Sequence, residues 1–230
     1  MAEAHRIKSE QEAVEAARLI AEQIRATSGA RDRDRRLPFE EVEWFSHSGL
    51  WAITVPKEYG GAGVSTPVLT EVVAIISAAD ASLGQIPQNH YANVEEIRLI
   101  GTETQKAFFF SRILKGDRLG NAAVERSGKS VLENKTKLVT DGDGYLLSGE
   151  KFYSTGALFA HWVPAFRAAS MHPAPRGVHP GATEQLYSQA RAPARLAVVD
   201  RPKESMANPL HDQRALHGPR PPAQRCARHS

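Results

Sequence analysis

Two short segments of the chain carry the side chains that could do chemistry. Residues 120–126 (GNAAVER) include the amide of Asn121. Residues 149–157 (GEKFYSTGA) include Tyr153 and the hydroxyl of Ser154. Amides and hydroxyls at the ends of strands can hydrogen-bond a reacting group in a site that excludes water. The alternative is structural, because Asn121 could satisfy a turn and Tyr153 could be an ordinary half-buried strand aromatic.

Motifs of other chemistries are missing from the sequence. It contains no complete Gly-x-Gly-x-x-Gly, no phosphate-binding loop of the Walker type and no Gly-x-Ser-x-Gly elbow. Its histidines and single cysteine do not follow zinc-ligand spacing. We therefore expect no metal site.

Helical periodicity dominates the first half of the chain. Apolar spacing and capping residues predict five helices, and a mixed-charge run at 31–36 is interpreted as a solvated link between the first two. The predicted helices cover 9–26 (capped by Ser9, ending at Ser28–Gly29), 38–48, 65–80, 88–100 and 102–114, the last opened by a capping box at Thr102 and Gln105.

The pattern changes from helix to strand after residue 116. Residues 118–125, 135–140 and 145–148 alternate in polarity, and Asp-Gly-Asp-Gly at 141–144 is typical of a hairpin. The fold class predicted is α+β, with an all-α N-terminal domain followed by the start of a β-domain. The domain boundaries are 1–116 for the helical domain, 117–164 for the partial β-domain and 165–230 for a tail.

The tail differs from the rest of the chain in composition. Residues 165–230 hold nine of the 14 prolines and are rich in arginine. Such a segment buries too little apolar surface to order itself, so it is predicted to be disordered. Our hypothesis is that it is translated out of frame, which sequencing of the gene would test. Nucleic-acid binding by the arginines is disfavoured, because aromatic residues are not regularly interleaved with them.

The sequence also predicts where the protein works. The acidic N-terminus lacks the basic start and apolar core of a signal peptide, and the single cysteine, Cys226, fits a reducing compartment. The most apolar helical run, residues 72–79, is too short to span a bilayer. We expect a cytoplasmic protein without membrane attachment.

Four ordered stretches of the sequence resemble the acyl-CoA dehydrogenase superfamily. They are the turn-rich residues 49–63, residues 101–117, and the two segments described above. The resemblance implies an N-terminal helical domain, the first strands of a middle β-barrel, and a flavin cofactor, either FMN or FAD. The cofactor-binding residues that it implies are Ala122 and Val124 (through their backbone groups), Ser130, Tyr153, Ser154 and Thr155.

Departures from the dehydrogenase pattern resemble the flavin-dependent monooxygenases of the dibenzothiophene and sulfur-assimilation branch. Asn121, and Tyr-Ser-Thr at 153–155 where dehydrogenases have Trp-Ile-Thr, carry this resemblance. It implies reduced FMN from a separate reductase, oxygen addition at flavin C4a, and a peroxide that oxygenates a small organosulfur substrate. Family members are homotetramers. The catalytic residues implied are Asn121, Ser154 and His90, the last on the helix that faces the pocket in the family.

Two other interpretations stay open. The protein could be an acyl-CoA dehydrogenase that uses FAD, or a truncated, non-catalytic fragment of either enzyme. In the family a C-terminal four-helix bundle closes the flavin pocket and supplies the catalytic carboxylate of the dehydrogenases. That bundle is not recognisable in this sequence.

Overall fold

The computed structural model describes residues 4–126, 135–141, 144–165 and 195–198. Within these residues the order of helices followed by strands is confirmed. The helices are α1 (Glu10–Asp34), α2 (Phe39–His47), α3 (Thr66–Ala79), α4 (Ala81–Ile100) and α5 (Glu103–Ile113). The strands are β1 (Lys137–Asp141), β2 (Gly144–Ser148), β3 (Trp162–Ala165) and β4 (Arg195–Val198).

Local side-chain caps fix where several helices begin. The hydroxyl of Ser9 accepts a hydrogen bond from the Glu12 N–H at the start of α1, as predicted. At α5 both bonds of the predicted capping box between Thr102 and Gln105 are present. These bonds satisfy backbone donors that have no partner inside the helix.

Helix α4 begins seven residues earlier than predicted, at Ala81 instead of residue 88. The carboxylate of Asp80 accepts from the N–H groups of Ser82 and Leu83 and caps the helix. Pro87 therefore lies inside α4, although proline lacks the N–H that an interior position uses. Its side chain is buried, so packing holds the helix together across the missing bond.

Helix α1 is longer than predicted because its last turns are held by a buried charge. The predicted stop at Ser28–Gly29 is wrong, and the helix runs on to Asp34. Arg31, only 4% exposed, pairs with Glu41 in α2 and with Asp80 between α3 and α4. The predicted solvated run is confirmed for residues 32–36, which are exposed and include the surface ion pairs of Arg33 and Arg36 with Asp34, and it is wrong for Arg31 alone. The Arg31–Glu41–Asp80 cluster ties together four of the five helices.

Two apolar clusters make up the described core. The first packs α1, α2, α3 and the turn-rich segment around Phe45, Trp51 and Ile53. The second joins Ile97 and Phe110 of the helical part to Leu119 and Trp162 of the strand part. The helices and the first strands therefore share a core rather than forming separate bodies.

The strands begin a sheet without completing it within the described residues. Strands β1 and β2 are antiparallel, with Asp141 opposite Gly144, so the predicted hairpin is confirmed. Its tip, residues 142–143, lies outside the described residues. Strand β3 pairs in parallel with β4, which falls in the tail. Composition did not predict this strand, and the rest of the tail lies outside the described residues. No described helix is long and apolar enough to cross a membrane.

Candidate active site

The two segments that the sequence singled out lie side by side. A Cβ atom added to Gly120 would stand 2.8 Å from the Cα of Ala157 and 2.9 Å from the Cβ of Ala160, closer than such atoms can approach. Further along, the N–H of Phe152 donates to the carbonyl of Val124 at 2.9 Å. The first segment therefore touches the second at both of its ends. Only a residue without a side chain allows the approach at position 120.

Three polar side chains near this junction have no hydrogen-bond partner within the described part of the chain. Asn121 follows Gly120, and Ser154 and Thr155 precede Gly156 and Ala157. All three residues are half-buried. Two tight turns shape the second segment, because the Thr155 N–H donates to the Tyr153 carbonyl at 2.9 Å and the Ala157 N–H to the Ser154 carbonyl at 3.1 Å. The junction thus offers neutral donors and acceptors that a ligand can use.

Tyr153 has an unusual backbone conformation. Its φ is 55°, in the left-handed region that costs a residue with a side chain about 1 kcal/mol. Its side chain is 76% exposed, and it lies outside the described strands, so an ordinary half-buried strand aromatic is the wrong interpretation. Strain of this kind persists where the surroundings enforce it, often at a binding site.

Two of the main-chain groups of Ala122 and Val124, the predicted cofactor-binding residues, are already hydrogen-bonded. The N–H of Ala122 donates to the Pro164 carbonyl at 3.1 Å, and the carbonyl of Val124 is taken by Phe152. Within the described residues, the N–H groups of Asn121 and Ala123 have no acceptor. The N–H of Val124 likewise has no acceptor among the described residues, so these three groups are donors that the first segment can offer. Ser130 lies outside the described residues.

His90 is fully buried and saturated with hydrogen bonds. Its Nε2 lies 2.7 Å from the carbonyl of Trp51, and its Nδ1 accepts from the N–H of Leu119 at 3.0 Å. Burial lowers the pKa of His90 to about 4, so the ring is neutral with its proton on Nε2. Both nitrogens are occupied by backbone groups, which leaves none for a substrate. The structure therefore gives His90 a positioning role in place of the predicted catalytic one.

The depressed pKa of His90 predicts acid sensitivity. The unfolded chain binds a proton near pH 6.5 and the folded ring only near pH 4, so stability falls as the pH drops through this window. We expect urea unfolding to show a loss of about 2–3 kcal/mol between pH 7 and pH 4.5. The variant His90→Gln should lose most of this slope, whereas His47→Gln, at an exposed helix end, should keep it. An unchanged slope in His90→Gln would contradict the assignment.

Several positioning residues were missed by sequence reasoning. The Asn93 amide of α4 donates to the Gly120 carbonyl at 2.9 Å. The guanidinium of Arg118 bonds to Glu43 at 2.8 Å, to Ser46 at 2.7 Å and to the Phe159 carbonyl at 2.7 Å. Arg118 and Glu43 are 75 positions apart, so no local pattern could have revealed the pair.

Glu125 is the most heavily bonded carboxylate of the two segments. It accepts from the Lys151 ammonium at 2.8 Å and from the Thr136 hydroxyl at 2.6 Å. The N–H groups of Thr136 and Lys135 donate to it at 2.9 Å and 2.6 Å. Burial alone would raise the pKa of Glu125, but the bonds from Lys151 and Thr136 outweigh it and hold the pKa at about 2.

A groove of about 1000 Å³ runs along α4 beside the turn-rich segment. Thr54, Val64, Leu69 and Gln88 are among its lining residues. The face of α4 that carries His90 and Asn93 toward the two segments is a different one, since position 88 lies well around the helix from both. The groove by itself therefore does not place a ligand at Asn121.

The helical part of the chain is similar to the N-terminal domain of the acyl-CoA dehydrogenases. Residues 8–117 match the family model described as acyl-CoA dehydrogenase, N-terminal domain. The resemblance predicted from the sequence is thereby confirmed.

Among individual proteins, the chain is similar to dibenzothiophene monooxygenase of Rhodococcus erythropolis. The two are 37% identical over 145 residues, which is 63% of this chain and 35% of that enzyme. The FMN-bound crystal structure of TdsC from Paenibacillus sp. A11-2 has 31% identity and a TM-score of 0.64, over 70% of this chain and 40% of that one. Short-chain specific acyl-CoA dehydrogenase of Bos taurus is 29% identical, over 76% of this chain and 47% of its own length. The chain thus spans about a third of the length of the monooxygenases that it matches.

Proposed function

We propose that the protein is a flavin-dependent oxidoreductase, and specifically a monooxygenase that uses reduced FMN to oxygenate a small organosulfur compound. The observation that carries the proposal is a group of polar side chains, Asn121, Ser154 and Thr155, that have no partner among the described residues and lie on two segments that Gly120 brings into contact. The similarity to dibenzothiophene monooxygenase and to FMN-bound TdsC supports the choice of cofactor and substrate class.

The residues present fit a flavin ring. Its pyrimidine edge carries carbonyl and N–H groups, which pair with neutral amides and hydroxyls rather than with a buried charge. The N–H groups of Asn121 and Ala123, which have no acceptor among the described residues, and the hydroxyls of Ser154 and Thr155 are such partners. Glu125 is already paired with Lys151, so no unpaired carboxylate of the first segment faces the ring. The Tyr153 ring, exposed at the same turn, is available to pack on a flat cofactor.

Each polar residue has a defined task in this proposal. Bound reduced flavin would supply the activation of dioxygen. The Asn121 amide, which can donate and accept, orients the oxygen to be transferred or the substrate, and the Ser154 hydroxyl donates a second hydrogen bond. The half-buried position of both residues limits access of water.

The second candidate is an acyl-CoA dehydrogenase, which the similarity to the bovine enzyme favours. That reaction needs a carboxylate base whose pKa lies near the working pH. Glu125 does not meet this requirement, because its pKa is about 2 and its oxygens are occupied. Glu150, the other carboxylate of the two segments, is exposed. In the dehydrogenases the carboxylate comes from the C-terminal bundle, whereas the amide of Asn121 and the hydroxyls of Ser154 and Thr155 are groups that oxygenation uses.

The proposal extends to partners and compartment. Reduced FMN comes from a separate reductase, the protein assembles as a homotetramer, and it works in the cytoplasm. Coupled assays distinguish the monooxygenase reaction from the dehydrogenase reaction. With a flavin reductase, NADH and dibenzothiophene as the probe substrate, oxygen incorporation supports the monooxygenase. Reduction of an electron-accepting dye by butyryl-CoA, without oxygen incorporation, supports the dehydrogenase.

Flavin binding tests the site directly. We expect the purified chain to shift the visible absorption of added FMN, and Asn121→Leu to weaken FMN binding about tenfold, the equivalent of one hydrogen bond. Gln85→Leu, which removes an exposed amide from α4, should bind FMN like the wild type. Failure of the wild type to bind either FMN or FAD would refute the proposal. Equal affinity in Asn121→Leu would remove Asn121 from the site.

A further inference from the structure

We infer that Lys151 is a positioning residue that fixes the register of the two segments through Glu125 and thereby sets the affinity for the flavin. The inference rests on the proposed function for its ligand. Its structural part, the coupling of the segments, can be tested without one.

Lys151 is a buried cation at the start of the second segment. Its side chain is 10% exposed and that of Glu125 is 4% exposed. The ammonium lies 2.8 Å from the Glu125 carboxylate and 3.3 Å from the Ala123 carbonyl. Positions 123 and 125 are two residues apart and share one side of an extended chain. The Lys151 side chain therefore binds the first segment at two points.

Glu125 extends this connection to the hairpin. Its carboxylate also holds the entry to β1 through the hydroxyl and N–H of Thr136. Gly149, just after β2, packs so closely on Thr136 that an added Cβ would lie 2.3 Å from its hydroxyl oxygen. The two ends of the hairpin, at Thr136 and Lys151, therefore both bind the Glu125 carboxylate.

The cluster stands next to the groups proposed to hold the flavin. Val124 and Phe152, which lie between the charged residues and the polar junction, form the bridge between the segments. A slip of one residue in this pairing would turn alternate side chains to the opposite face. The turn at residues 153–157 would then move relative to Asn121. A slip would break the contact between Lys151 and Glu125, so this part-buried ion pair opposes it.

We expect the Lys151–Glu125 pair to fix the register of the two segments rather than to add to the free energy of folding. Buried ion pairs often add little to the free energy of folding, since desolvation offsets the attraction between the charges. Removing both charges should therefore leave the fold intact while freeing the register. An intact fold with a freed register would indicate a positioning role, whereas loss of the fold would indicate a structural one.

The experiment compares Lys151→Met, Lys151→Arg and the double variant Glu125→Gln/Lys151→Met with the wild type. We expect both variants that lack the cation to bind FMN at least tenfold more weakly and to give a different visible spectrum of the bound flavin. Lys151→Arg, which keeps the charge, should bind FMN within about threefold of the wild type. The matched control is Lys137→Met, which removes an exposed lysine of β1 and should change neither measurement.

Amide hydrogen exchange of the flavin-free protein supplies the independent test. Loss of the cation should accelerate exchange in residues 120–126 and 149–157 together, whereas Lys137→Met should not. If the double variant folds, binds FMN like the wild type and shows unchanged exchange, the inference is wrong. If the wild type binds no flavin, the proposed function fails and the link to flavin affinity fails with it. The exchange data would then decide only whether Lys151 couples the segments.

Discussion

Replacing Arg31 with alanine should lower the free energy of unfolding by about 3–5 kcal/mol, the usual cost of removing one partner from a buried ion pair. Glu41 and Asp80 would each keep a buried negative charge that has lost its cation. The loss should also loosen α4, because Asp80 caps this helix as well. Urea unfolding followed by far-ultraviolet circular dichroism measures the change.

A neighbouring arginine provides the control for this experiment. Arg33 lies in the same last turn of α1, but its side chain is 75% exposed. Arg33→Ala should therefore change the free energy of unfolding by less than about 0.5 kcal/mol. A loss below 1 kcal/mol in Arg31→Ala would show that the cluster does not hold the helices together.

Replacing Gly120 with alanine should separate the two segments of the candidate site. The new Cβ would meet the backbone of Ala157, which cannot rotate away as a side chain could. We expect a loss of about 1–3 kcal/mol in stability, typical of overpacking. We also expect FMN binding to weaken at least tenfold, because the polar groups of the two segments would move apart. Unfolding curves and flavin titrations measure the two effects separately.

The matched control is Gly29→Ala. Gly29 lies exposed inside α1, and an added Cβ there would meet no atom within 4 Å. Alanine favours the helix over glycine, so stability should rise by about 0.5–1 kcal/mol with no change in FMN binding. If Gly120→Ala behaves like Gly29→Ala, the contact at Gly120 is not required.

Local signals in the sequence predicted the helix starts well, and long-range contacts explain the errors. Ser9 and the Thr102–Gln105 pair act within one turn, so their caps could be recognised. Arg31 could not be assigned, because a charged run on the surface has the same sequence pattern and its partners lie 10 and 49 positions away. The start of α4 was misplaced because Pro87 resembles a break, while the cap at Asp80 and burial of the proline override it.

At the candidate site, too, local sequence signals could be recognised and long-range contacts could not. The pairing of the two segments could be predicted, because a short hairpin brings them together whatever else folds around it. The hydrogen bonds at both ring nitrogens of His90 could not be predicted, because their partners are backbone atoms 39 and 29 positions away in the chain. Glu125 was noticed only as part of a motif, and its burial against Lys151 and Thr136 depends on the register of the strands. Residue types therefore indicated the candidate segments, and only the three-dimensional contacts showed which of their groups are already hydrogen-bonded.

Helix α4 holds the two segments through their main chain. His90 bonds to the Leu119 N–H, Asn93 to the Gly120 carbonyl, and Gly156 packs beside the Ile86 carbonyl, where an added Cβ would stand 3.4 Å away. None of these attachments uses a side chain of residues 119–121 or 154–156. The side chains of Asn121, Ser154 and Thr155 can therefore change over evolution without breaking these attachments, whereas position 120 must stay glycine. Such a scaffold lets new substrate preferences arise through the exchange of a few side chains, because the contacts between α4 and the main chain of the segments stay in place.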